Sequence, residues 1–280
     1  MGERVSAASG APLEPEVLYE RDGHVAVVTL NRPRVLNALT LPMLTRLREI
    51  FDEVNADRNV RVLLLTGAGE RSFSVGFDLS DDAVPTRSDE FRAEVRSNAD
   101  VFLQLWNLRV PTIAAINGYA LAAGATLALA CDMSVAAADA RFGEPEVRHF
   151  ALSPLLLMPW LTANSKLTNY LYFSGDTIDA AVAQSLGLIG SVVPAEDLRS
   201  EAMRIAQRIA QIAPYAVELM KDSLRNAYDA MGFTHAMRYH SLNDVALMSA
   251  TGIPEKDELD RLMLAGDMKA FLARRDGPLQ

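Results

Sequence analysis

The sequence predicts an α+β protein in which strands and helices alternate through the first half and long helices fill the last third. Short apolar runs of strand type stand at residues 24–30, 60–66 and 112–116, each bounded by turn residues. Between them, residues 41–55 and 88–108 carry apolar side chains at helical spacing, Leu44, Leu47, Phe51 and Val54 in the first and Phe91, Val95, Phe102 and Leu105 in the second. Beyond Leu167 the pattern is mostly helical, with periodic segments at 195–213, 215–230 and 255–275. Strands first and helices last place the chain in the α+β class with a helical C-terminal region.

Composition narrows the function. The chain has 280 residues, 50% of them hydrophobic, and a formal net charge of -9, so it has ample core and no basic surface for nucleic acid or anionic lipid. No apolar run reaches the roughly 20 residues of a membrane span, residues 1–15 lack the apolar core of a signal peptide, and a cytoplasmic protein is expected. The single cysteine, Cys131, excludes an internal disulfide and reads as packing. Four scattered histidines offer no metal-ligand spacing, so no metal is expected. No Gly-x-Ser-x-Gly elbow, Walker pattern or dinucleotide fingerprint is present. The stretch 80–88, polar and broken by Pro85, is a candidate lid.

Two segments point to chemistry. Residues 111–132 read as an apolar strand, a turn of small residues and a helix start, and Glu146 follows fourteen residues later. The first amides of a helix have no intrahelical partner, and tiny side chains let a ligand reach them. Residues 60–66 run likewise into GAGERSFSVGFDLS, so two strand exits can converge on one atom as an oxyanion hole. Glu146 follows Pro145, which fixes its backbone, and the apolar neighbours Phe142, Val147 and Phe150 would desolvate its carboxyl and raise its pKa. Adjacent Glu144 reads as a surface glutamate in a polar loop.

Here the chain resembles the crotonase (enoyl-CoA hydratase/isomerase) superfamily. The likeness runs through NRPRVLNAL at 31–39, the segment at 67–80, AAINGYALAAGATLALACDMSVAAADARFGEPE at 114–146, the segment at 174–194 and the helix at 214–221, covering roughly residues 17–275. The resemblance implies a spiral of strand-strand-helix repeats over 17–200, preceded by a flexible tail at 1–16 and followed by a helical trimerisation region at 201–280. It implies a homotrimer or dimer of trimers. A coenzyme A thioester is then the substrate, with no separate cofactor.

The resemblance assigns the oxyanion donors to the backbone N–H groups of Phe77 and Ala123, with Phe77 narrowing the entrance, and the acid/base to Glu146. It draws coenzyme A contacts from Arg34, Val35, Leu36 and Ala38, and from Ser74, Gly76, Asp78 and Leu79. Arg34 either meets a phosphate or is an exposed loop charge, and Asp78 orders its loop. Ala122, Thr126, Pro145, His149 and Ala151 complete the expected binding residues, with the bulky run at 148–158 reshaping the acyl pocket. His149 either hydrogen-bonds Glu146 or is packing, and some relatives recruit a pocket tyrosine from the region of Tyr239 and His240. One departure matters: Thr126 stands where typical hydratases carry a second glutamate. A single carboxylate suits a proton shuttle between carbons, so hydration and double-bond isomerisation both stay open. A hydratase-lyase of an aryl enoyl-CoA and a non-catalytic acyl-CoA binding protein are the alternatives.

Overall fold

The computed structural model describes residues 14–79 and 88–277. In chain order its elements are β1 (Val17–Asp22), β2 (Val25–Leu30), α1 (Leu41–Ala56), β3 (Val62–Gly67), β4 (Ser72–Ser74), α2 (Ser88–Trp106), β5 (Thr112–Ile116), β6 (Tyr119–Leu121), α3 (Ala123–Ala130), β7 (Met133–Ala137) and β8 (Arg141–Gly143). There follow α4 (Met158–Leu161), α5 (Ser165–Ser174), β9 (Thr177–Asp179), α6 (Ala180–Ser185), β10 (Ser191–Val193) and α7 (Leu198–Ala210). Last come α8 (Pro214–Ala230), α9 (Phe233–Met248), α10 (Pro254–Leu264) and α11 (Met268–Asp276). The candidate lid at 80–88 lies almost wholly outside the described residues.

The strands form two sheets, a six-stranded one in the order β1-β2-β3-β5-β7-β10 and a four-stranded one in the order β4-β6-β8-β9. Strands β2, β3, β5, β7 and β10 run parallel, which explains why their sequences read as continuous apolar runs: both faces are covered. In β2, Ala26, Val28 and Leu30 enter the main core with α1 and α2, while Val25 and Val27 face the second core under α7. The expected boundary at residue 200 therefore falls inside a helix that packs on the sheet.

The small sheet is what builds the site. Its strands β4, β6 and β8 are parallel neighbours, with Ser74 opposite Ala120 and Leu121 opposite Gly143. Their carboxyl ends lie side by side, the place where parallel sheets present ligands. From β4 the chain leaves into Val75–Leu79, from β6 into Ala122 and α3, and from β8 into Glu144, Pro145 and Glu146.

The long periodic segment at 255–275 is two helices, because Gly266 takes φ +70° and Asp267 caps a new start by accepting from the Ala270 amide. Arg225 and Lys221 of α8 both reach Asp132, which ties that helix to the core, and Arg225 also lies over the Trp106 ring. Among the described residues no helix is long and apolar enough to cross a membrane.

Candidate active site

Two strand exits interlock at the centre of the site. Gly76 takes φ +95°, and a Cβ there would lie 2.7 Å from the Ala122 Cβ and 3.1 Å from the Ala123 nitrogen. A Cβ on Gly124 would lie 2.3 Å from the Ser74 carbonyl oxygen. Only glycine allows backbone to approach backbone so closely. Ser74 is buried, donating its hydroxyl to the Asn37 carbonyl and accepting from the Gly76 amide.

This packing aims two amides. Phe77 forms a bridge to Leu39 in which the Leu39 amide donates to the Gly76 carbonyl and the Asp78 amide to the Leu39 carbonyl, so the Phe77 N–H points away from the bridge. Ala123 opens α3, and its N–H has no partner within the helix. Ala122, just before it, takes φ 54° and ψ -135°, a conformation that costs an alanine about 1–3 kcal/mol and fixes where that N–H points. Neither amide makes a hydrogen bond among the described residues. The Phe77 ring packs edge-on against Phe102 at 6.2 Å and forms part of the cavity wall.

Glu146 enters on a 3₁₀ turn, Pro145–His149, that Phe150 ends with φ 60°. Arg148 clamps this turn, donating to the Ser174 carbonyl at 2.8 Å and pairing with Asp176 at 2.5 Å. The Glu146 side chain lines a cavity of about 730 Å³, is 6% exposed, and neither of its oxygens hydrogen-bonds to the protein. Burial pushes its pKa up to about 8, with the Asp244 charge adding and Arg275 opposing.

Glu144 corrects the sequence reading. It is 2% exposed rather than on the surface, and its Oε1 accepts from the Thr126 hydroxyl at 3.4 Å. Burial, and the neighbouring Glu146 charge after it, hold Glu144 strongly toward its neutral form.

Of the expected binding residues, Arg34, Val35, Leu36 and Ala38 line the cavity, as do Asp78, Leu79 and Ala122. Pro145, His149 and Ala151 line it as well. Ala123, Ser74, Gly76 and Thr126 sit behind that surface, buried, and support it. Asp78 is held by Arg32 at 2.7 Å, which also donates to the Ala38 carbonyl. His149 does not bond Glu146: it packs edge-on against Phe271, and burial lowers its pKa to about 4. Tyr239 is 63% exposed and away from the cavity, while His240 is buried and hydrogen-bonds the Ser153 carbonyl at 2.8 Å. Cys131 is buried, its thiol pushed up to about 12.

The sequence did not reveal the cavity's third side. Asp244 and Met248 of α9, Lys256 and Met263 of α10, and Leu272 and Arg275 of α11 close it. Helical periodicity foretells such helices but not where they dock. Arg71 at the mouth was also missed, although it immediately precedes β4, the strand whose exit carries Phe77.

Both the sequence and the fold match known proteins. The enoyl-CoA hydratase/isomerase family profile matches residues 20–249. The chain belongs to the enoyl-CoA hydratase/isomerase family. It is 34% identical over 226 residues to a probable enoyl-CoA hydratase of Mycobacterium bovis, covering 76% of this chain and 82% of that one. A short-chain-enoyl-CoA hydratase of Clostridium acetobutylicum is 36% identical over 216 residues, 74% and 80% of the two chains. The crystal structure of an enoyl-CoA hydratase/isomerase from Xanthobacter autotrophicus Py2 superposes with a TM-score of 0.90 at 35% identity, covering 95% of this chain and 99% of that one. Family membership brings acyl-CoA hydratase/isomerase activity and the crotonase fold.

Proposed function

We propose that this family member adds water across the double bond of a 2-enoyl thioester of coenzyme A. The thioester carbonyl sits between the N–H groups of Phe77 and Ala123, which stabilise the enolate that forms when the β-carbon is attacked. Glu146 takes the proton from water and returns it to the α-carbon. The observation that carries this reading is Glu146 itself: a buried carboxyl at the cavity wall, unbonded to protein and with its pKa near 8, on the strand exit beside the two free amides. Arg34 and Arg71, both exposed at the cavity mouth and unpaired among the described residues, supply charge for the coenzyme A phosphates.

A second reading, isomerisation of a 3-enoyl to a 2-enoyl thioester, is favoured by Thr126, which leaves α3 without a carboxylate at the site. Incubation with 2-enoyl- and 3-enoyl-CoA panels in heavy water separates the two. Gain of one water, abolished in Glu146→Gln, supports hydration; deuterium uptake with a shifted double bond and no added water supports isomerisation. Tight binding without either product would leave only an acyl-CoA binding protein.

Self-association as a trimer or dimer of trimers belongs to the same proposal, supported by Tyr215, Leu219, Met220 and Leu224, which α8 leaves exposed. Sedimentation analysis of wild type beside Leu219→Arg tests it.

A further inference from the structure

Beneath Glu146 the structure holds a second carboxyl that the reading above does not use. Glu144 is two residues upstream, 2% exposed, with Oε1 accepting from Thr126 and Oε2 making no hydrogen bond to the protein. Together with both oxygens of Glu146, three buried carboxyl oxygens within one turn thus lack a protein partner. A buried polar atom left unsatisfied costs about 1–3 kcal/mol, so such a group is retained where something else bonds it. Two hydroxyls stand near: Ser153, which donates to the Leu155 carbonyl and bears on Glu144 as well, and Tyr172, whose oxygen accepts from the Met158 amide and keeps its own O–H to donate.

We infer that Glu144, held by Thr126, is the group that orients the water added to the substrate, acting in its neutral form as a hydrogen-bond donor through Oε2. This rests on the hydratase reading. Because Oε1 is the oxygen that accepts from Thr126, it is the carbonyl oxygen of the neutral acid, and Oε2 carries the proton. Burial and the nearby Glu146 charge both favour that neutral form.

The step then balances on one water. Its oxygen accepts from Glu144 Oε2–H with one lone pair and attacks the β-carbon with the other, forming the C–O bond. One O–H bond breaks, and that proton passes to the Glu146 carboxylate. The C=C electron pair moves into the thioester as an enolate facing the Phe77 and Ala123 amides. The enolate collapses by taking the proton from Glu146 at the α-carbon, which restores the carboxylate, while Glu144 keeps its own proton throughout. Thr126 is then no lost catalyst: its hydroxyl occupies Oε1 and leaves Oε2 to the water.

The test separates water orientation from proton abstraction. Hydration of a 2-enoyl-CoA is measured beside deuterium exchange at the α-carbon of a saturated acyl-CoA, which needs Glu146 and the two amides but no added water. Glu144→Leu is expected to lower hydration about 100-fold more than it lowers exchange, the low end of what an orienting or acid/base group supplies. Glu144→Gln, whose amide still donates and accepts, is expected to stay within about fivefold of wild type, a prediction from the neutral-donor role. Thr126→Val/Glu144→Leu, which removes both polar partners at once, guards against a folding failure and should repeat the selective loss.

Equal loss of hydration and exchange in these variants would mean a structural role and overturn the inference. Loss in Glu144→Gln as deep as in Glu144→Leu would mean that Glu144 gives up its proton, which also overturns it. Unchanged hydration in Glu144→Leu would sink the inference alone and leave the hydratase reading standing. A wild type that exchanges deuterium but adds no water would remove the hydratase reading, and the inference with it.

Discussion

The two sides of the cavity are built on opposite principles. On one side, backbone amides are aimed by glycines packed against neighbouring main chain, and the donors proposed there belong to no particular side chain. On the other, two carboxyls are buried, and the roles proposed for them rest on side-chain chemistry that a single substitution removes. The proposed roles divide the positions that tolerate change: residues 77 and 123 can vary in side chain, whereas 146 needs its carboxyl, 144 needs a side chain that both donates and accepts, and the glycines that set the approach cannot change.

The largest effect belongs to the carboxyl side. Glu146→Gln should lower turnover about 10²- to 10⁴-fold. In the wild type, kcat/KM for hydration should rise with pH through a midpoint near 8, because the step needs the carboxylate. Stability should run the other way. The folded pKa is raised from 4.5 to about 8, so the stability this carboxyl gives by holding its proton is whole below about 4.5 and is lost as pH rises through 8. Glu146→Gln should therefore match wild type in thermal stability near pH 4.5 and exceed it at pH 9. A mutant no more stable than wild type at pH 9 would mean that the carboxyl ionises without cost and is not desolvated.

This asymmetry also explains what could be read from the sequence. The backbone side was legible because small residues and glycines at a strand exit have few other uses: Gly76, Ala122, Ala123 and Gly124 stand where the sequence places them. The burial of Glu146 and its raised pKa were legible from its proline and apolar neighbours. Glu144 was not, since a glutamate between Gly143 and Pro145 looks like any loop charge until β8 carries it under Thr126. The cavity's third side was equally hidden. Where α9, α10 and α11 dock is settled by tertiary contacts such as Asp244 accepting from the Leu152 amide, and no local period encodes those.

The glycine approach gives the next largest effect. Gly124→Ala puts a Cβ 2.3 Å from the Ser74 carbonyl oxygen, a backbone atom that cannot swing aside. The two exits must separate, with a stability loss of about 3 kcal/mol, the upper end of ordinary overpacking. Because separation moves the Ala123 donor, turnover should fall about 10²- to 10³-fold, as when one oxyanion donor is removed. Binding of the coenzyme A portion, drawn from the turn at Arg34 and the cavity mouth, should change far less. A loss confined to the binding constant would contradict the placement of the donor in this turn.

Phe77→Ala should have the smallest effect on chemistry, and it tests the comparison most directly. The donor assigned to this residue is its backbone N–H, fixed by the bonds of Gly76 and Asp78 to Leu39, and those bonds do not involve the ring. The ring instead packs on Phe102 in the cavity wall, so its removal should cost about 1–2 kcal/mol of stability, below the range for a fully buried phenylalanine. Turnover should stay within about threefold, while a bulkier acyl group should gain in kcat/KM relative to a short one because the wall has receded. If turnover instead falls a hundredfold with the fold intact, the ring and not the main chain sets the donor's position. The division between a backbone side and a side-chain side would then fail at the residue where it is most exposed to test.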